Sequence, residues 1–194
     1  MNIRSLIQKQ STVCAGILLM LASGSALAHP DHGIGSGFLP GIAHPFSGLD
    51  HLLAMLAIGL WAGQGRDAAA RMMPIAALAS MAAGGIAAAA GLSVPMLEPM
   101  LASSVLFAGL LVLAGFRQHV AAPVFAGVFA CLHGMAHVAE MTGGSLSGYA
   151  GGILLASAVL MGAGFVLSRC TPRARIAAAP ISLAGAWMLL QSVA

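Results

Sequence analysis

The sequence predicts an all-α, polytopic integral membrane protein: a six-helix transmembrane bundle that follows a cleaved N-terminal signal peptide. Three observations lead there. Of 194 residues, 59% are hydrophobic and only 7% charged, whereas soluble domains average about 25% charged. The apolar residues fall in runs of about 20, the length at which a helix crosses the hydrocarbon core. Short Gly, Pro and Arg punctuations separate these runs, leaving no stretch for a soluble domain. A sequence pI of 9.1 suggests a polyanion partner, but the basic residues stand singly between apolar runs and form no basic face. No nucleic-acid partner is expected.

The first element is the signal, residues 1–28. Arg4 and Lys9 form its basic region, residues 13–21 its apolar core, and Ala26-Leu27-Ala28 an A-x-A cleavage site. The core is too short to span the bilayer by itself. Cleavage leaves residues 29–194 as the six-span domain, opening with His29-Pro30-Asp31-His32. His29 and His32, beside a new terminal amine, read as an auxiliary metal-capture segment or equally as an ordinary polar leader. Cys14 leaves with the signal, Cys131 lies in a span and Cys170 in a basic loop, so no structural disulfide is expected.

The spans are expected at 45–63, 72–92, 97–116, 120–140, 146–167 and 176–193. Small residues let helix backbones approach closely in lipid, and residues 59–63 and 148–152 fit such packing. Six arginines remain after cleavage: Arg66 and Arg71 after the first span, Arg117 after the third, and Arg169, Arg173 and Arg175 after the fifth. The other connections have none. Positively charged loops stay in the cytoplasm, so both termini face outward, which a cleaved signal also requires. The expected location is the bacterial inner membrane. Three helices precede the fourth span, so the two halves run in opposite orientation, as in inverted-repeat transporters.

That orientation brings the polar residues to one depth. Asp50, Glu98 and Glu140 are three of only five acidic residues, and all lie within or at the edge of apolar runs. A charge at the bilayer centre costs about 2.5–3.5 kcal/mol on insertion scales, so such residues usually face a cavity or a partner. His44, Asp50 and His51 open the first span, and Glu98 opens the third. His133, His137 and Glu140 occupy the outer half of the fourth. At 3.6 residues per turn, the last three share one helix face. His44 and His51, seven apart, align if the helix begins early, with Pro45 in its first turn. Asp50 lies about 100° from His51 around a helix and is expected to orient an imidazole on a neighbouring helix.

Imidazoles with carboxylates suit borderline divalent cations such as nickel, cobalt and zinc. The H-E-x-x-H zinc-protease motif is absent, since position 134 is Gly, and no P-loop is present. Three other readings are open on these residues. Paired intramembrane histidines hold haem in some bundles. Ser47 beside His44 and Asp50 echoes a hydrolase set, without a G-x-S-x-G turn. A bundle could also sense metal without transporting it.

His44-Pro45-Phe46-Ser47-Gly48-Leu49-Asp50-His51 resembles the H-P-x-S-G-x-D-H signature of the HupE/UreJ family. The run from Cys131 to Glu140 resembles its F-H-G-x-A-H-G-x-E signature, with Leu132 in place of Phe and Val138 in place of Gly. Glu98 followed by Ala102, Ser104, Val105 and Leu106 is similar to the family's E-x-x-I-A-x-S-V-L stretch. The resemblance implies a nickel permease, with cobalt transport in some members, rather than an enzyme. It implies no permanently bound cofactor. The partners it implies are the metal ion, the lipid bilayer, further copies of the chain, and hydrogenase or urease maturation proteins. By residue matching, the ion would be carried by His44, Asp50, His51, Glu98, His133, His137 and Glu140.

Overall fold

The computed structural model describes residues 37–117, 120–141, 144–171 and 174–194. The signal segment, His29 and His32, together with His119 and Arg173, lie outside the described residues. Among the described residues there are seven α-helices, one short 3-10 turn and no strand. The helices are α1 (Phe38–Ser47), α2 (Leu49–Gln64), α3 (Ala68–Ala89), α4 (Leu97–Ala114), α5 (Ala121–Ala139), α6 (Leu146–Cys170) and α7 (Ala178–Val193), with the 3-10 turn Ala174–Ala177 leading into α7. Four of them, α3 to α6, and the segment Ala174–Val193 are each long and apolar enough to cross a membrane.

The first expected span is different. Instead of one helix over 45–63, α1 and α2 pass the same test only as a pair, bent by 84°. The break is at Gly48, whose backbone is extended at φ −89° and ψ 116°. Its N–H returns to the His44 carbonyl at 3.3 Å, and the Ser47 hydroxyl donates to the same carbonyl at 2.7 Å. Both bonds converge on one carbonyl in the last turn of α1. Leu52 N–H then bonds the Gly48 carbonyl at 3.0 Å, starting α2 in a new direction. Pro45 sits inside α1 and is buried, so it does not open the span.

The other ends have ordinary local causes. Asp67 Oδ1 accepts from the Ala70 N–H at 2.7 Å and caps α3. Ser145 Oγ accepts from the Gly148 N–H at 3.3 Å and caps α6. Both satisfy first-turn donors that have no partner within the helix. Gly115 ends α4 at φ +67°, a left-handed conformation that costs a residue with a Cβ free energy.

α2 is the central element. It is buried on all sides from His51 to Gly63 except at Leu53, as expected of a helix enclosed by others. α1 and α2 pack against α6, α3 against α5, and α4 against α7. Each main pairing rests on two glycines in matched positions. A Cβ on Gly84 would strike the Cys131 carbonyl, and one on Gly134 would strike the Met81 carbonyl. Gly59 and Gly164 do the same for α2 and α6, against Met161 and Leu56. Gly109 and Gly185 do so for α4 and α7, against Ser182 and Leu106. Van der Waals contact between close backbones drives association where lipid offers no hydrophobic gain. The tight packing expected at residues 59–63 and 148–152 is present at Gly59, Gly63 and Gly152.

Exchanging the first half of the chain (α1–α4) for the second (α5–α7) leaves this pairing unchanged. The α3–α5 contact becomes α6–α2, and α4–α7 maps onto itself. The far end of α2 is closed by polar contacts. Trp61, buried, donates from Nε1 to the Phe116 carbonyl, and Gln64 Nε2 donates to the Val112 carbonyl at 2.8 Å. Arg117 donates to the Gln64 carbonyl at 3.1 Å, and Arg169 to the Gly65 carbonyl. The histidines lie at the opposite end of α2.

Candidate metal centre

Four imidazoles from three helices meet at the start of α2. His44 comes from α1, His51 from the first turn of α2, and His133 and His137 from α5. Their four-residue separation puts the last two on one face of α5, and both point inward, 0% and 2% exposed. His51 is also 2% exposed. Its ring centroid lies 4.2 Å from that of His137, 5.0 Å from His133 and 5.5 Å from His44. His44 lies 5.1 Å from His137. The kink at Gly48 makes this possible, because it turns α1 away from the axis of α2 and lets His44 reach the cluster from another side. The alignment of His44 and His51 along one helix is therefore replaced by convergence across a bend.

The carboxylates hold this group at two places. Asp50 Oδ1 accepts from His51 Nδ1 at 2.8 Å, so it orients its own sequence neighbour and not an imidazole on another helix. That bond places the proton of His51 on Nδ1 and leaves Nε2 as the atom with a free lone pair. Glu140, at the C-terminus of α5, brings Oε2 within 3.0 Å of His44 Nε2, off the geometry of a hydrogen bond. Exposure falls steadily from Glu140 (46%) to His44 (21%) and then to the buried histidines.

Five imidazole nitrogens here are buried with no hydrogen-bond partner: Nε2 of His44, Nε2 of His51, Nδ1 of His133 and both nitrogens of His137. An unsatisfied buried polar atom costs about 1–3 kcal/mol. With one nitrogen of His137 carrying its ring proton, such a cluster of unpaired imidazoles is a candidate set of metal ligands. The residues form two groups, each offering one ligand atom per residue within 4.8 Å of the others: His44, His51 and His137, and Asp50, His51 and His133. His51 belongs to both. Borderline divalent cations bind such imidazole and mixed imidazole–carboxylate sets.

Glu98 does not join either group. It lies exposed in the first turn of α4, where the helix dipole favours its charge. Six of the seven matched residues thus converge and the seventh stands apart. Ser104 and Tyr149 are contributors whose roles the sequence did not reveal. Ser104 Oγ lies 3.0 Å from His133 Nε2, and the Tyr149 ring lies 5.6 Å from that of His44. Ser104 was legible only as part of a motif, because its partner lies 29 residues away on another helix.

Val138 packs toward α3. Its Cγ2 lies 3.5 Å from where a Cβ on Gly85 of α3 would be, so the glycine opposite provides room for the extra bulk. Val138 lines an aliphatic cavity of about 440 Å³ between α3, α5 and α6, which reaches the side of His137. A second cavity, of about 490 Å³, lies at the other end of α2 and is lined by Arg66, Arg117, Arg169 and Arg175.

Comparison with known proteins adds to this geometry. A family model described as "HupE / UreJ protein" matches residues 17–194. The chain is 38% identical over 176 residues to a curated protein from Rhizobium leguminosarum bv. viciae named "Protein HupE", covering 85% of this chain and 91% of that one. No solved structure is significantly similar to it. The family match takes in every helix that supplies a side chain to the histidine cluster. With its apolar helices and this match, the chain is a multi-pass membrane protein that belongs to the HupE/UreJ family.

Proposed function

We propose that the protein is a permease that imports divalent transition-metal ions, nickel first and cobalt second, across the bacterial inner membrane for metalloenzyme maturation. One observation carries this reading: two adjacent three-ligand groups share His51 within a buried cluster of unsatisfied imidazoles. Two weak sites joined by a common ligand suit transit, since a conducting site must bind firmly enough to select and loosely enough to release. Glu140 and Glu98 attract the hydrated cation at the outer mouth. His44, His51 and His137 take over as water is shed, and His51 then swings the ion toward His133 and Asp50. The arginine loops lie in the cytoplasm, with both termini outside, as their distribution requires. The centroid spacings of 4.2–5.5 Å leave no slot for a porphyrin between paired histidines, which disfavours the haem reading.

The test is uptake of radioactive nickel at sub-micromolar concentration by cells lacking their own nickel importers. Wild type is compared with His51→Ala and His133→Ala at matched membrane levels, with exposed Arg71→Gln as control. Uptake abolished in both histidine variants and retained in the control is the expected result. Equal loss in all three would overturn the mechanism. Nickel retained at the membrane with none in the cytoplasm would favour a sensor.

A further inference from the structure

Ser104 lies buried on α4, facing α5, with its hydroxyl between two groups. Oγ is 2.7 Å from the Leu101 carbonyl oxygen and 3.0 Å from His133 Nε2. A hydroxyl has one hydrogen to donate. The carbonyl can only accept, and it is the nearer partner, so that hydrogen goes to Leu101. Toward His133 the hydroxyl oxygen is therefore the acceptor, and Nε2 must carry the ring proton. In a neutral imidazole the other nitrogen is then the bare one. That atom, Nδ1, is buried and has no hydrogen-bond partner.

From this hydrogen accounting we infer that Ser104 is a positioning residue. It holds His133 as the Nε2–H tautomer, so that Nδ1 is the atom presented to the ion. The ligand role rests on the permease reading, whereas the tautomer is a property of the ion-free protein. The arrangement mirrors that of His51 with opposite ring atoms. Asp50 holds the proton of His51 on Nδ1 and frees Nε2, whereas Ser104 holds the proton of His133 on Nε2 and frees Nδ1. Two histidines of the inner group thus offer different ring nitrogens, each fixed by its own partner. Partners of this kind align a ligand and raise its basicity. A hydroxyl acceptor is neutral, so it does so without adding a second negative charge beside Asp50. Neither nitrogen of His137 has a hydrogen-bond partner, so nothing of this kind fixes its tautomer.

The experiment uses the purified full chain in lipid nanodiscs, labelled with ¹⁵N-histidine and free of metal. Imidazole ¹⁵N shifts distinguish a protonated from a bare ring nitrogen, and His133→Gln assigns the His133 signals. Wild type should show His133 protonated at Nε2. Ser104→Ala should lose that preference, and Ser104→Thr should keep it, since a helical threonine hydroxyl can bond the i−3 carbonyl in the same way. A simple packing role for Ser104 would not move a tautomer. Nickel titration of the same samples should show affinity falling about 10-fold or more in Ser104→Ala, the usual range for a lost outer partner, with Ser104→Thr near wild type. A His133 protonated at Nδ1 in wild type, or a tautomer unchanged in Ser104→Ala, overturns the inference. So does an affinity equal in wild type and Ser104→Ala. A wild type with the stated tautomer but no nickel binding overturns the permease reading and the ligand role, while the tautomer assignment stands.

Discussion

Gly48 shows most directly how a single residue sets the site. A Cβ there would lie 3.1 Å from both Asp50 Oδ1 and His51 Nδ1, tighter than ordinary contact. Gly48→Ala should therefore spread the Asp50–His51 pair without emptying any core volume. Nickel uptake is expected to fall about 10-fold, the usual range for a disturbed outer partner, with the protein still present at normal membrane levels. Wild-type uptake in Gly48→Ala would show that the Asp50–His51 pair tolerates the crowding. Glu98 and His133 should fail in different ways. Glu98 is exposed and outside both ligand groups, so Glu98→Gln should weaken capture alone: uptake drops at low nickel and recovers at high nickel. His133→Ala removes a buried imidazole of the cluster and should not recover at any concentration. A saturation curve for each variant decides the matter. Val138 packs toward α3, so Val138→Gly should leave uptake within about 2-fold, though it costs some stability through lost packing.

Helix pairs depend on the glycines at their crossings. Gly134 sits between two histidines of the cluster on α5, with the Met81 carbonyl against it. Gly134→Leu should push α3 from α5, at a cost of about 1–3 kcal/mol for overpacking. Thermal unfolding in detergent would read this as a lowered midpoint, and uptake would be lost because His133 and His137 shift together. Gly162 has open space at its Cβ position and lies on the same helix as the essential Gly164. Gly162→Ala should therefore be silent in both measurements. Equal damage by the two substitutions would mean that glycine content in general, and not backbone contact at the crossings, stabilises the bundle.

Whole-molecule behaviour follows from the two ends of α2. The histidine end grades from exposed to buried, whereas the other end is closed by Trp61 and by Arg117 and Arg169 on the last carbonyls of the helix. Removing both clamps in Arg117→Gln/Arg169→Gln should loosen that closure. Quenching of Trp61 by a water-soluble agent, measured in a Trp187→Phe background, should increase relative to the parent. Unchanged quenching would place the closure elsewhere. Orientation has its own test. Cys170 is exposed at the arginine end of α6, so a membrane-impermeant maleimide should label it in inverted vesicles and not in intact spheroplasts.

Composition and periodicity alone determined the all-helical membrane class, the positions of the later spans to within a few residues, and most of the polar residues that the structure brings together. These are local properties, because a run of apolar residues and a stripe at 3.6-residue spacing need no neighbours to be recognised. The tertiary structure decided what those residues do together. The first span breaks at Gly48, where an extended backbone turns the chain by 84° between two helices that the apolar pattern reads as one. Asp50 serves His51 and not a residue on another helix, Glu140 reaches His44 across 96 positions of sequence, and Ser104 meets His133 across 29. Reciprocal glycines pair the helices across equally long separations. Contacts of that kind depend on which backbones approach, and approach is settled by packing between helices, not by any stretch of sequence read by itself.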